Sequence, residues 1–494
     1  MLSVALASLF LPTLAIAASP IASITKEWTH SHTTGVTSEI SAYDKATNTV
    51  WVAGVVGVDV LNASTGALVQ HIDTRGYGSI NSVAIHNGVA AFAIESSVRT
   101  DPGVIKLFDT TTRALTSGTN SITVGALPDM VTFTPDGSKL LVANEGTPTI
   151  SAGVYSGIDP AGSVSIINVA TRSLIANAGF AGVPTSGSNI RNPGMDYEPE
   201  YIAVNAAGTK AYVTLQEANA VGVLDLSSNS FSQIIGLGTK SFNVSGNSID
   251  PTDRDYLSGN SGPTKTELRP VAVQGLYQPD GIAAYESAGK TYLVMANEGD
   301  TREDELDKAR ASDIFTGLPN DLKRLNISTT DSSLGNLVTF GTRDFTIRDD
   351  AGNIVFSSGN ELDAKAIELG IYSDGRSDDK GVEPEGVELF NFGGRTLAFI
   401  GLERTTKAAV AIYDITDPAN ASFIDMLVTN GDVAPEGLKA FEANGKYYLS
   451  IANETSNTTT LYSLTAAVPE PETYAMMLAG LGLLGFAAKR KKNG

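Results

Sequence analysis

Acidic residues return at two fixed places in a repeated pattern along this chain. A proline followed by an acid marks the first, at Pro128-Asp129, Pro199-Glu200, Pro279-Asp280, Pro384-Glu385 and Pro435-Glu436. An apolar run ending in an acid marks the second, at Glu95, Glu145, Glu217, Glu298, Glu403 and Glu454. Carboxylates gathered in one spot repel. Two unit charges about 4 Å apart oppose each other by about 1 kcal/mol in water and about 4 kcal/mol at an effective dielectric of about 20. A crowd of them calls for a hard cation, for Arg or Lys partners, or for raised pKa values. A Ca2+-like site suits this pattern. The repetition also suits a structural role, in which each acid accepts backbone N–H bonds from the neighbouring repeat.

Three segments interrupt the repeat and place acids beside bases. They are Asp250-Pro251-Thr252-Asp253-Arg254-Asp255, the stretch from Glu298 to Asp304, and the stretch from Arg376 to Glu385. Carboxylates ligate hard cations, and Arg grips phosphate or carboxylate with two parallel bonds. The candidate metal ligands are Asp253, Asp255, Asp300, Asp378, Glu383 and Glu385, joined by the corner acids Glu200 and Asp280. The candidate anion-binding residues are Arg254, Arg302, Arg376 and Lys380. Solvated loops held by ion pairs are the alternative reading.

Other catalysts are poorly represented. The four histidines, His30, His32, His71 and His86, all lie early in the chain, and His30-Ser31-His32 could touch a metal, although a surface turn is the favoured reading. There is no GxSxG elbow, HExxH pair or Walker loop. The run Gly480 to Gly485 spells GxGxxG, but it opens no βαβ unit and lies in an apolar tail. No catalytic residue is assigned.

The elements that must position these residues are hairpins. Each Pro-acid corner starts a short alternating strand. A Gly, Asn or Asp turn follows, as at Pro135-Asp136-Gly137, and a more continuously apolar strand returns to the acid. The corner and the strand end therefore share one face. Two weaker copies, Ser38-Glu39-Ile40 through Gly54 and Asn81-Ser82-Val83 through Glu95, bring the copies to seven. Third and fourth strands follow, as in Val58 to Leu61 and Leu68-Val69. Four-stranded units at a period of about 40 residues predict an all-β, seven-bladed β-propeller. The last copy reaches only three strands, so Ile24 to Thr29 is expected to complete that blade and close the ring. Insertions lengthen blades three to five.

The chain has 494 residues and a net charge of -20, which argues against nucleic acid as a partner. It has no cysteine, which excludes disulfides, thiolate metal sites and thiol catalysis. Residues 1–18 are apolar and end in Ala15-Ile16-Ala17, the pattern of a cleaved signal peptide. Residues 19–465 form the predicted propeller. Residues 466–494 carry Pro469-Glu470-Pro471, an apolar stretch from Ala475 to Ala488, and Lys489-Arg490-Lys491-Lys492. As a helix that stretch spans about 21 Å, short of a hydrocarbon core of about 30 Å.

This C-terminal order resembles the PEP-CTERM sorting signal of Gram-negative bacteria. The resemblance implies recognition by exosortase and the export machinery, transient inner-membrane anchoring, and cleavage near Pro469 to Glu472. The passages Ala126 to Phe133, Val142 to Gly146, Ala296 to Asp300 and Arg376 to Gly386 resemble the choice-of-anchor I domain family. That resemblance implies an extracytoplasmic propeller with no catalytic residues to carry over. A more distant likeness to phytase-like and alkaline-phosphatase-like propellers implies calcium at an acidic channel. The expected function is a monomeric surface or matrix module that binds an envelope or matrix polysaccharide or another partner, with Ca2+ at the mouth. A calcium-dependent phosphoesterase is the alternative.

Overall fold

Alternating apolar and polar residues make the first strand of each repeat half-buried, and continuous apolar residues bury most of the second strand, wholly so in Thr49–Gly54. The computed structural model describes residues 19–33, 35, 37–155, 157–192, 197–254 and 265–467. The segment read as signal peptide (1–18) and residues 468–494 of the segment read as sorting signal (Pro469, Glu470 and Pro471 included) lie outside the described residues, as does Asp255.

The described chain is all-β and mainly antiparallel. Seven sheets of four or five strands carry it. Their first strands, in chain order, are Ser41–Asp44, Ile80–His86, Pro128–Phe133, Ile202–Val204, Ile282–Ser287, Pro384–Phe392 and Pro435–Ala443. They define sheets one to seven below. In sheets one, two, three and six the strands lie side by side in chain order. In sheet five the third and fourth strands are Asp344–Asp349 and Ile354–Ser357, reached only after an insertion. The N-terminal strand Ile21–Ser31 is the fourth strand of sheet seven, beside Thr458–Ala466.

Two compact units are distinguished. One is Thr25–Ser463. The other comprises the flanking stretches, where the Ala467 N–H donates to the Pro20 carbonyl at 2.8 Å.

Within the larger unit, each first strand neighbours the first strand of the next sheet, and that of sheet seven neighbours that of sheet one. The apolar core is divided among the sheet-to-sheet interfaces. Trp51 and Phe92 pack between sheets one and two, Leu141 and Val213 between three and four, and Phe441 and Val50 between seven and one. Between sheets five and six the helix Glu361–Glu368 adds Leu362 and Ala366 beside Phe345 and Tyr413.

Two features were not expected. Sheet four gains a fifth strand, Thr185–Ser188, paired in parallel with Ser230–Leu237. The insertions of sheets four and five form their own small sheets, Thr239–Ser241 with Val273–Leu276 and Leu337–Thr339, and Lys308–Arg310 with Asn326–Ser328. These enclose a separate core of Phe242, Ile249, Leu325 and Ile327.

The glycine after the acid corner has a steric reason. A Cβ on Gly281 would collide with the Glu385 carbonyl, one on Gly386 with that of Glu436, and one on Gly437 with that of Glu39. Each glycine lets its sheet approach the backbone of the next. Gly386→Ala is therefore expected to destabilise the protein by roughly 1–3 kcal/mol. Urea unfolding checks this, and an unchanged midpoint would contradict the close approach.

Candidate functional site

Four of the corners share a backbone device. The ladder register slips between Ile80 and Ser82, Pro128 and Met130, Pro384 and Val387, and Pro435 and Leu438. Such a bulge takes a residue out of the pairing and re-aims its side chain. The residues so released include Asn81, Asp129, Glu385 and Glu436. Just before the proline, Leu127, Gln278, Glu383 and Ala434 hold φ values of 48°, 42°, 51° and 57°. Positive φ is strained for a residue with a side chain, and more so before proline. The strand ends are tied to these corners by backbone bonds. The Glu145 N–H donates to Leu127, Glu403 to Glu383 and Glu454 to Ala434, at 2.8–2.9 Å. The corner and strand-end acids thus stand side by side, as the hairpin logic requires.

A cavity of about 670 Å³ gathers them. The corner acids Glu39, Asp129, Glu200, Asp280, Glu385 and Glu436 line it, with the strand-end acids Glu95, Glu145, Glu298, Glu403 and Glu454 and the loop acid Asp300. Three bases join them, Arg99, Lys380 and Arg404. Burial, reinforced by neighbouring carboxylates, pushes Asp129 up to about 6 and Glu145 and Glu403 up to about 8. Burial also lifts Glu39 to about 7 and Asp300 to about 6. The same causes hold Glu200, Asp280, Glu385 and Glu436 well above the carboxylate range.

Two groups of three carboxylates offer oxygens within 4.8 Å of one another, and both include Glu298. In Glu298, Glu383 and Glu403 the charges are met by bases. Lys380 Nζ lies 2.6 Å from Glu298 and 3.0 Å from Glu383, Arg376 lies 2.5 Å from Glu383, and Arg404 lies 2.8 Å from Glu403. In Asp280, Glu298 and Glu385 only Glu298 is so met among the described residues, with Gln216 Nε2 donating to its other oxygen at 2.9 Å. Glu385 Oε2 is buried and has no hydrogen-bond partner among the described residues. An all-oxygen set with two carboxyl groups that no base meets fits a hard divalent cation such as Ca2+.

The sequence candidates are distributed unevenly. Glu200, Asp280, Asp300, Glu385 and Lys380 line the cavity, and Glu383 belongs to the neutralised trio beside it. Asp253 and Asp378 form another cluster, held by Arg324 at 2.5 Å and Arg310 at 2.5 Å. The proposed anion-binding bases face acids: Arg254 lies 3.7 Å from Asp253, Arg302 2.6 Å from Asp304, and Arg376 2.8 Å from Asp379. Sequence reasoning missed Arg99 and Arg404. Arg404 adjoins a strand-end acid, but nothing near Arg99 signals that it bonds Glu303 at 2.6 Å across 204 residues.

An all-β body of hairpin-built sheets, joined to a C-terminal sorting motif, defines an exported, surface-directed protein. Residues 39–418 match the choice-of-anchor I domain, and the chain belongs to that family. Residues 467–491 match the PEP-CTERM protein-sorting motif, which directs the chain to the exosortase machinery for membrane anchoring and then processing. Among the described residues no helix is long and apolar enough to cross a membrane. No curated protein matches the chain. Solved structures similar to it include hydrazine synthase of Kuenenia stuttgartiensis, at 12% identity over 89% of this chain and 98% of that one, with a TM-score of 0.49. Another is a chain of the mitotic checkpoint complex, at 10% identity over 93% and 98%, with a TM-score of 0.48.

Proposed function

We propose that the seven sheets are the blades of one β-propeller. In this reading the chain is a surface-displayed binding module that holds Ca2+ at the acidic mouth of its central channel. The cyclic succession of first strands and the glycine contacts from blade to blade support the propeller, with the N-terminal strand completing the last blade. Closure hides sheet edges and favours a monomer. The cation reading is carried by the unmatched carboxylates of Asp280 and Glu385 beside Glu298. A cation held there offers open positions to hydroxyl-rich ligands, which suits an envelope or matrix polysaccharide outside a Gram-negative cell. The protein's part is to fix the three carboxylates and to keep Lys380 on Glu298.

Calorimetric titration of the full chain with calcium tests this. One or more Ca2+ ions should bind, and Glu385→Gln should weaken binding at least about tenfold. Absence of binding, or binding indifferent to Glu385→Gln, would overturn it. Hydrolysis of a phosphomonoester or phosphodiester that chelator and Glu385→Gln both abolish would make the protein a calcium-dependent phosphoesterase instead.

A further inference from the structure

Three of the four histidines, from two separate parts of the sequence, gather around one aspartate. His71 lies directly across the ladder from Asp59 in sheet one, and its Nδ1 is 2.7 Å from Asp59 Oδ1. His32, just past the end of the N-terminal strand, brings its Nδ1 to 2.7 Å from Asp59 Oδ2. His30 meets His32 edge to face, with ring centroids 5.0 Å apart. His30, His32 and Asp59 each offer one ligand atom, and these atoms lie within 4.8 Å of one another.

The outer bonds of these groups also match what a metal site needs. His32 Nε2 is 2.8 Å from Thr459 Oγ1, which in turn is 2.9 Å from Ser38 Oγ. The ring of His30 hydrogen-bonds the backbone at Gly66. The second oxygen of Asp59 is held by His71. Every candidate ligand is thus oriented by a partner on its far side, as ligating imidazoles and carboxylates are in metal centres. Asp59 and His32 are buried, whereas the His71 side chain is 32% exposed and His30 is half-buried, so the cluster opens to solvent on one side.

We propose that His30, His32 and Asp59 bind a borderline transition-metal ion of the Zn2+ class, with His71 and Thr459 positioning the ligands. Two imidazoles and one carboxylate suit zinc and its neighbours and do not suit calcium. With the ion held at Nδ1, His32 would keep its Nε2 contact to Thr459 Oγ1 at 2.8 Å. The ligands come from the N-terminal strand and from sheet one, so the ion ties the strand that ends sheet seven to the first sheet. This site is independent of the acidic cavity.

The test uses the full chain, purified in detergent without a histidine tag and titrated with Co2+. The cobalt complex should show visible d–d absorption at one equivalent. Zinc should displace it and excess calcium should not. His30→Ala, at a half-buried side chain that leaves the fold intact, should weaken cobalt binding at least about tenfold, as should His71→Ala to a lesser degree. Glu385→Gln should leave it unchanged. Absence of a cobalt spectrum would overturn the proposal. So would a spectrum that Glu385→Gln removes and His30→Ala does not.

Discussion

Lys380→Met should destabilise the protein by roughly 3–5 kcal/mol, the range for removing one partner of a buried ion pair. Lys380 Nζ bonds Glu298, Glu383 and the Gly299 carbonyl, and its side chain is only 14% exposed. Burial alone would lower this amine, but Glu298, Glu383 and Asp300 outweigh it and hold it well above the ordinary lysine range. Among the described residues it is the one base shared by both carboxylate trios. Without it, Glu298 and Glu383 repel in a setting that water screens poorly. Urea unfolding at neutral pH in chelator reads the loss. Adding Glu298→Gln to the variant should recover much of it, because the surplus charge is removed with its partner. A loss below about 1 kcal/mol would mean that water screens this corner as it screens a surface pair.

In chelator, the melting temperature should rise by roughly 5 °C as the pH is lowered from about 8 to about 6. The sign follows from the cavity acids. Glu39, Asp129, Glu145, Asp300 and Glu403 have native pKa values raised to between about 6 and about 8. The unfolded chain titrates them near about 4. Between these limits the native state holds protons that the unfolded state does not. Their contribution is full below the unfolded pKa and is lost as the pH rises through the native values. Lower in pH, acids held down by bases work the other way. Burial would raise Asp304, but Arg302 and two backbone N–H groups hold it below the usual range, and its contribution is lost as pH falls through its native pKa. A mildly acidic optimum results. On the cation reading calcium would compete with the cavity protons, so it should raise the melting temperature more at pH about 8 than at pH about 6. Scanning calorimetry across this range checks both statements. A flat or inverted profile would show that the acids stay charged without help.

The hairpin grammar was legible because a strand, a tight turn and a returning strand are set by residues close in sequence. Even the N-terminal strand of sheet seven could be inferred, since that sheet otherwise lacked a fourth strand. The parallel pairing of Thr185–Ser188 was not legible, because Gly and Ser carry no strand signal and the partner is an edge reached through tertiary folding. Within the site, repetition pointed to Asp280 and Glu385. It gave no warning that Asp253 and Asp378 would be taken up by Arg324 and Arg310, which come from a different part of the insertion. His30 and His32 read as a surface turn because their partner Asp59 lies in another sheet, and only the closing of the N-terminal strand brings them together.

The most direct test of the cation reading is anomalous diffraction from crystals grown with calcium. The account predicts a peak between Asp280, Glu298 and Glu385, with carboxylate oxygens at about 2.4 Å. Ordered water at that position, with the ion absent or bound elsewhere, would contradict it.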